Sequence, residues 1–469
     1  MRKTRKVNMN IHFSDLWRWQ GSLSRSAYLF WGVVLGAIKY NLDRLLVWNW
    51  SGQRWSLLDY GKVGEYLWPK APSFHGTGEF AAMLALAVPF MIAGVLLTLK
   101  RLRSVRLSPW LALLFFVPVI KIMFFLLLCV LPSTDRVEFE ADRLDGPKSW
   151  FGLFIPRAPL GGAIAGIVFA TGSSAICVWL GTTVLRDYGW SLFVGLPFAL
   201  GFIAVLIFGY HEARSFGSCM AVSALTVVAA GVALLIVAIE GLVCLVMAVP
   251  LAAPMGLAGG CVAYQIQRST WWQGKSSALF CVAAVAPMLM FFEHLEPAPP
   301  PMFSVTSSVV VEASPKRVWR NVVSFSELPP PTEFLFRAGI AYPQRARIYG
   351  HGVGAERHCE FSTGPFVEPI EVWDEPRLLK FSVTRNPPPM QEWTPYEDLR
   401  PAHLDGFLES CGGQFELIPV AENRTRLEGT TWYRHHMWPA TYWRWWSDYI
   451  IHTIHLRVLR HVKQLSEEA

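Results

Sequence analysis

Charge is scarce in this sequence: Asp, Glu, Lys and Arg make up 16% of its 469 residues. The scarcity is greatest between Ser218 and Gln267, where Glu240 is the single charged residue. A core helix of a water-soluble protein rarely stays apolar beyond about 14 residues, whereas a helix that crosses a bilayer needs roughly 20. The run therefore predicts an integral membrane protein and has length enough for two crossings.

Several motifs that carry chemistry are also missing. The eight cysteines form no CxxC or CxxH pair, and there is no P-loop, no GxGxxG after a strand and no GxSxG. His452 and His455 are three residues apart, one short of the spacing of a helical zinc face, and are expected to be solvated. The sequence thus predicts no catalytic residue, no cofactor and no metal.

The basic excess belongs to one half of the chain. Residues 1–302 contain 24 Lys and Arg against 15 Asp and Glu, whereas residues 303–469 contain 18 against 20. Basic residues mark the cytoplasmic side of membrane proteins, so the basic N-terminus and the loop Lys100–Arg106 predict a cytoplasmic N-terminus. No 7 to 15 residue apolar stretch follows Met1–Lys6, which disfavours a cleaved signal. The acidic tail half also excludes nucleic acid as a partner.

Eight apolar segments are candidate spans, three in a domain at 1–135 and about five in a region at 136–295. Lys39, Asp43 and Arg44 lie near the end of the first, where snorkelling to the interface is favoured over lining the bundle. The segments are Ala27–Trp48, Phe80–Leu99, Trp110–Leu131, Leu160–Leu185, Trp190–Gly209, Cys219–Ile239, Leu242–Ile266 and Ala278–Phe292.

The long apolar run leaves two topologies open. If it turns at Glu240-Gly241, there are eight spans and the C-terminal region is cytoplasmic. If it crosses once and Pro250–Gly260 is re-entrant, there are seven and that region lies outside. Length favours eight, which makes Glu240 a solvated turn residue rather than a charge held inside the membrane.

After a proline spacer at Pro297–Pro301, the pattern changes to period-two alternation, which is typical of strands. Ser314-Pro315 predicts the start of a helix at Lys316–Ser324, and a long helix runs from Pro439 to about Leu465. The predicted strands are Phe303–Glu312, Ala346–Gly350, Glu356–Thr363, Val367–Trp373, Leu378–Thr384, Gly413–Ile418 and Thr425–Tyr433.

The segment Val305–Trp319, with Ala313-Ser314-Pro315 before Val318-Trp319, resembles the opening of the START-like superfamily, also called SRPBCC or polyketide cyclase/dehydrase-like. The order of the later segments and the long last helix also match, over about 165 residues at 303–467. The resemblance implies a helix-grip fold, in which a curved antiparallel sheet wraps a long helix around an apolar cavity. The predicted fold class is a multi-pass helical membrane bundle plus this α+β domain.

The N-terminal part is similar to a bacterial inner-membrane domain of unknown function, which implies a bacterial inner-membrane location. Its counterparts of the family's basic motifs are Gly21–Arg25 and Lys100–Ser104. Ser22 and Ser104 depart from that pattern, where the family has Arg and Asp. The resemblance implies topology and no activity.

The predicted cavity would be aromatic with few polar groups, which is the usual composition of a small-molecule site. A tightly packed core with no ligand remains the alternative. Candidate lining residues share the inner face of the strands and one stripe of the last helix. They are Phe361, Val367, Glu371, Trp373, Phe381, Phe415, Leu417, Thr431, Tyr433, Trp446 and Tyr449.

Aromatic residues crowd the start of the last helix. Trp and Tyr favour the headgroup level of a bilayer, so Trp438, Trp443, Trp445 and Arg444 are candidates for a membrane-surface contact. The sequence thus predicts a membrane-anchored domain that binds or presents a hydrophobic small molecule or a lipid. The alternatives are a cyclase or dehydratase that uses Glu371 as base and Tyr433 as acid, and a structural or regulatory protein with a filled core.

Overall fold

The computed structural model describes residues 13–17, 20–52, 55, 77–117, 120–131, 133, 154–269, 277–295, 300–396 and 401–468. The chain divides into two compact units. The membrane unit comprises Met1–Leu67, Phe74–Val237 and Ala248–Ala298; the C-terminal unit comprises Trp68–Ser73, Ala238–Met247 and Pro299–Ala469. The predicted boundary at 135 and most of the proline spacer lie outside the described residues, so the three-domain division stays a prediction.

The membrane unit is helical. Within the described residues, five helical stretches are long and apolar enough to cross a bilayer: Ala81–Ser104, Pro159–Leu185, Ser191–Phe208, Phe216–Ile236 and Leu242–Gln267. The helices are α1 (Arg25–Ser51), α2 (Thr77–Ser104), α3 (Ile120–Val130), α4 (Pro159–Trp179), α5 (Leu196–Phe208), α6 (Phe216–Ile236), α7 (Leu242–Gln267) and α8 (Ser277–Leu295). Helix lies at each of the eight predicted segments, and the prediction of a membrane protein is confirmed.

Charged residues near the helix ends depart from the sequence-based expectation. Asp43 in α1 is fully buried and accepts a hydrogen bond from the Lys39 ammonium, so this pair lines the bundle rather than snorkelling, whereas Arg44 is exposed. Lys100 and Arg101 belong to the last turns of α2 and are buried, not part of a loop. The Arg101 guanidinium donates to the backbone oxygens of Leu128, at 2.9 Å, and Leu23, at 3.2 Å. The Leu128 carbonyl lies in the last turn of α3 and has no partner within that helix, so it is available to the buried arginine.

The predicted span Trp110–Leu131 is divided. A 3-10 helix occupies Pro109–Phe116 and α3 begins at Ile120. The sequence places Pro118 between them, and proline removes a backbone donor and sterically opposes a continuous helix.

Helix α5 lies at the centre of the membrane unit, and 94% of the residues of the span Ser191–Phe208 are buried. Small residues let its neighbours approach closely. A Cβ added at Gly166 of α4 would lie 2.4 Å from the Ala204 oxygen, and one at Gly259 of α7 would lie 2.0 Å from the Phe198 oxygen. Such close backbone approach is the usual basis of helix association in lipid, where apolar burial alone gives no preference for protein over lipid.

The long apolar run forms two helices, α6 and α7, separated by Val237–Gly241. The turn contains Ala238 with a positive φ of 55°. Glu240 is only 7% exposed, contrary to the expected solvated turn, because the ring of His403 covers it with Nδ1 at 3.1 Å from its carboxylate.

The described residues of the C-terminal unit form one seven-stranded antiparallel sheet in the order β1-β7-β6-β5-β4-β3-β2. Two short helices follow β1, and one long helix ends the chain. The strands are β1 (Met302–Val311), β2 (Pro343–Tyr349), β3 (Glu356–Phe361), β4 (Gly364–Asp374), β5 (Leu378–Ser382), β6 (Leu408–Ala421) and β7 (Arg424–His435), and the helices are α9 (Pro315–Val323), α10 (Phe334–Arg337) and α11 (Ala440–Glu468).

Local sequence explains these elements. In β1 Phe303, Val305 and Ser307 are buried in strict alternation with exposed residues. Ser314 is the N-cap of α9 and Pro315 its first residue, as predicted. Helix α11 packs against β1 and β7 and contributes Val458, Leu459 and Val462 to the domain core. A long helix held by a curled antiparallel sheet confirms the predicted helix-grip fold.

Candidate functional site

A cavity of about 110 Å³ lies between the sheet and α11 in the C-terminal unit. Aromatic rings form much of its wall: Phe361 and Phe366 meet edge to face at 4.8 Å between centroids, and Phe381 and Phe415 lie 6.2 Å apart. The lining residues are Arg357, Cys359, Phe361, Phe366, Glu368, Phe381, Val383, Ser410, Gly412, Gln414, Phe415, Gly429, Thr430, Thr431, Ile451, Ile454, His455, Val458 and Leu459. The interior of the grip is therefore not completely filled by its own side chains.

One wall of the cavity carries a buried ion pair. Arg357 of β3 donates from Nη1 to the Glu368 carboxylate of β4, and the two residues are directly opposite in the β3–β4 register. Arg357 is 1% exposed and Glu368 is 6% exposed. Burial raises the pKa of the Glu368 carboxyl, and the adjacent guanidinium opposes that shift.

Aromatic rings surround the Arg357 cation. The guanidinium carbon lies 5.6 Å from the ring centroids of Phe325 and Phe381 and 5.5 Å from that of Phe415. Its Nε also donates to the Val323 oxygen at the end of α9, at 3.3 Å. Ring faces attract cations, most strongly where water is excluded. The charge is thus held by a carboxylate and three rings rather than directed at open space.

The other titratable groups at the cavity are neutral near pH 7. Burial raises the pKa of the Cys359 thiol to about 12, so it is not a thiolate nucleophile. Burial and the nearby His452 lower the pKa of His455 to about 4. The neutral His455 ring lies between two hydroxyls, with Nε2 at 2.7 Å from Thr431 Oγ1 and Nδ1 at 3.1 Å from Ser307 Oγ. His455 is therefore not the solvated position that the sequence analysis expected.

Four of the predicted cavity residues line the cavity: Phe361, Phe381, Phe415 and Thr431. They lie on β3, β5, β6 and β7, and these four residues face the cavity as predicted.

Strand β4 has the opposite phase from the one predicted. Its inner face presents Phe366 and Glu368 to the cavity, so Val367 lies on the other side. A register shift after Ile370 then returns Trp373 to the core side, where its ring meets that of Trp319 at 5.6 Å. A bulge of this kind changes which residues face inward and leaves little trace in the sequence.

The remaining predicted residues have other surroundings. Glu371 is exposed and lies 3.6 Å from Lys380. Leu417 is core, 1% exposed, and Tyr433 is buried with its hydroxyl donating to Asp448 at 2.6 Å. Trp446 is half-buried outside the cavity lining, and Tyr449 is 56% exposed. Glu371 and Tyr433, the acid–base pair of the cyclase alternative, therefore do not converge on the cavity.

The four predicted membrane-surface residues are not alike. Trp438 and Trp443 are buried, whereas Trp445 is 65% exposed. Arg444 donates to Asp448 at 3.1 Å and lies over the Phe303 ring, with its guanidinium carbon 4.9 Å from the centroid. Of the four, Trp445 keeps the exposure that a contact with lipid requires.

Comparison with known proteins gives a likeness at the level of structure alone. No protein-family model matches the chain, and no curated protein matches it. A point mutant of norcoclaurine synthase from Thalictrum flavum, in complex with a transition-state analogue, is 12% identical, with 36% of this chain and 98% of that one covered and a TM-score of 0.25. The Zhui aromatase/cyclase from Streptomyces sp. R1128 is 14% identical, with coverage of 36% and 94% and a TM-score of 0.23.

A third solved structure, the XoxI protein from Bacillus cereus, is 15% identical, covers 34% of this chain and 93% of that one, and has a TM-score of 0.23. These likenesses concern the C-terminal half. At such identities and scores they carry no argument about activity, so the fold rests on this chain's own strand order. The similarity of the N-terminal part to an inner-membrane domain stays a prediction.

Proposed function

We propose that the C-terminal unit binds a small, neutral, hydrophobic molecule in the cavity between its sheet and α11. The observation that carries the proposal is the cavity of about 110 Å³, lined by four phenylalanine rings. An engineered apolar cavity of about 150 Å³ holds benzene, and pockets for drug-sized ligands have about 300–1,000 Å³. The occupant that fits is therefore a single ring or a short acyl segment, rather than a whole lipid or a polycyclic chain.

Charge and hydrogen bonding narrow the ligand further. Arg357 and Glu368 neutralise each other, and burial keeps Cys359 and His455 neutral near pH 7. A charged ligand would lose its hydration without gaining an unpaired opposite charge, which is unfavourable. A ligand with one hydroxyl or carbonyl can instead hydrogen-bond to Thr431 or His455, whose Oγ1 and Nε2 atoms lie 2.7 Å apart.

Presentation at the membrane surface is the second part of the proposal. The membrane unit anchors the domain, and Trp445 supplies an exposed amphipathic ring of the kind favoured at headgroup level. Under this proposal a hydrophobic ligand held in the cavity stays near the lipid phase in which it dissolves. A bacterial inner membrane with both termini cytoplasmic is the location that we propose from the charge pattern.

The binding proposal is tested by titrating the full chain, in lipid nanodiscs, with 4-fluorophenol and following ¹⁹F NMR. The wild type is expected to show one saturable bound signal per chain. Gly429 lines the cavity, and a Cβ there would make ordinary contacts, at 3.6 Å, with Leu459 and Phe415. Gly429→Ala should therefore fold normally while reducing the space for the ligand.

Overfilling a packed site costs about 1–3 kcal/mol. The affinity of Gly429→Ala for the ligand should therefore be roughly 5- to 150-fold lower than that of the wild type. The matched control is Ser308→Ala, an exposed position on the adjacent strand β1, which should bind as the wild type does. Absence of a saturable signal in the wild type, or equal affinity in Gly429→Ala, would overturn the proposal.

A further inference from the structure

A second cluster of chemically active side chains lies in the C-terminal unit, away from the cavity. It joins the segment Ala238–Met247, which belongs to this unit, to the long connection between β5 and β6. Glu240 precedes α7 and Cys244 lies in its first turn. Glu392 and His403 come from the connection, with His403 in a short 3-10 helix, Ala402–Leu404.

The imidazole of His403 is the centre of this cluster, and each of its nitrogens faces a different group. Nε2 lies 2.8 Å from the Cys244 sulfur and 3.7 Å from Glu392 Oε1. Nδ1 lies 3.1 Å from Glu240 Oε2. Ligand atoms of Glu240, Cys244 and His403 all lie within 4.8 Å of one another. The Cys244 thiol and the Glu392 carboxylate thus both face Nε2, and the Glu240 carboxylate faces Nδ1.

The acidic groups of the cluster are held rather than flexible. Glu392 accepts hydrogen bonds from the backbone N–H groups of Val243, at 3.0 Å, and Cys244, at 3.2 Å. Glu240 and Glu392 are each 7% exposed and His403 is 5% exposed. Carboxylates are seldom buried unless they are paired or coordinate a metal.

We propose that Cys244, His403 and Glu392 bind a divalent transition-metal ion of zinc's class, and that Glu240 positions His403. Sulfur, imidazole and carboxylate are all zinc ligands. A hydrogen bond from the second ring nitrogen of a ligating histidine to a carboxylate is the usual way in which that histidine is oriented. The geometry assigns Nε2 to the metal and Nδ1–H to Glu240.

The charge and the spacing both accommodate an ion. A coordinating cysteine is a thiolate and a coordinating glutamate a carboxylate, so Cys244 and Glu392 would together supply two negative charges to one divalent ion. With metal–sulfur and metal–nitrogen bonds of about 2.3 and 2.0 Å, a tetrahedral site needs roughly 3.5 Å between sulfur and nitrogen. The present 2.8 Å separation would widen by a side-chain rotation, while the 3.7 Å from Nε2 to Glu392 already suffices.

The first test is metal content. The full chain is exposed to Zn²⁺ and purified in detergent without a histidine tag or chelator. Inductively coupled plasma mass spectrometry is then expected to find one zinc per chain. Cys244→Ser should lose it. Cys261→Ser, in the same helix but outside the cluster, is the matched control and should keep it.

The second test identifies the ligands. With Co²⁺ in place of zinc, the wild type should give a thiolate-to-cobalt charge-transfer band that Cys244→Ser abolishes and Cys261→Ser preserves. Glu240→Gln, which retains a hydrogen-bond acceptor, should weaken Zn²⁺ binding by about 10- to 100-fold in chelator competition without removing the band. Substoichiometric zinc in the wild type, or an unchanged cobalt spectrum in Cys244→Ser, would overturn the proposal.

Discussion

The buried pair of Arg357 and Glu368 gives a sharp test of how the cavity wall is held. Glu368→Gln keeps the shape of the side chain and removes its charge. The Arg357 cation is 1% exposed, so water cannot replace the lost carboxylate. Breaking a buried ion pair from one side typically costs about 3–5 kcal/mol.

The three surrounding rings, at 5.5 to 5.6 Å, favour the cation even when it is unpaired. We therefore expect the lower end of that range, about 3 kcal/mol, which corresponds to roughly 150-fold in an opening equilibrium. Arg357→Met combined with Glu368→Leu removes both charges and should restore most of the loss, because apolar replacements of buried pairs are often neutral.

Hydrogen exchange followed by mass spectrometry reads this effect locally in the full chain, in peptides that cover β3 and β4. Glu371→Gln is the matched control, since it lies on the same strand but its ion pair with Lys380 is solvent-exposed. Exposed pairs contribute about 0–1 kcal/mol, so exchange should change less than about fivefold. If the two variants show the same hydrogen-exchange rates in β3 and β4, the Arg357–Glu368 pair does not stabilise the cavity wall as described.

Three further predictions concern stability. Gly412→Ala should destabilise the C-terminal unit by about 1–3 kcal/mol in denaturant unfolding, because its Cβ would lie 2.8 Å from a backbone oxygen of β5. Gly429→Ala, whose Cβ contacts lie at 3.6 Å, should not destabilise it. Equal stabilities of the two variants would contradict this prediction. Burial lowers the pKa of His455 to about 4 from 6.5, so the unfolded chain takes up its proton first, and the stability present above pH 6.5 should fall by up to about 3 kcal/mol toward pH 4. Unfolding curves across this range for the wild type and His455→Gln should converge at low pH, and parallel curves would refute the assignment. Arg101→Lys should lower the melting temperature by several degrees, since one ammonium cannot reach the carbonyls that the guanidinium joins, while the exposed Arg106→Lys serves as the control that should not.

Both units could be anticipated because their signals are local. A segment that crosses lipid carries little charge, so the five described helical stretches that are long and apolar enough to do so are each recognisable as an apolar run of consecutive residues. A strand with one buried face alternates, as Phe303, Val305 and Ser307 do in β1. These patterns report the surroundings of each residue without knowledge of its partners.

The cavity was only partly predictable because its walls depend on register. On β5, β6 and β7 the alternation continues undisturbed, so Phe381, Phe415 and Thr431 were assigned to the inner face. On β4 the phase had to be chosen from side-chain types, and a single displaced residue near Ile370 exchanges the two faces. The apolar and aromatic residues of that strand gave no reason to place Glu368 inside.

Charged residues were misplaced most consistently, and for one physical reason. A lone charge is expensive to bury, so Lys39, Asp43 and Glu240 were each expected to reach water. In the structure Asp43 meets Lys39 and Glu240 meets His403. His403 is 163 positions beyond Glu240 in the sequence, and no spacing rule connects the two. The cost of burying a charge depends on the partner that the charge finds. When that partner is distant in sequence, the burial of the charge can be recognised only from the folded structure.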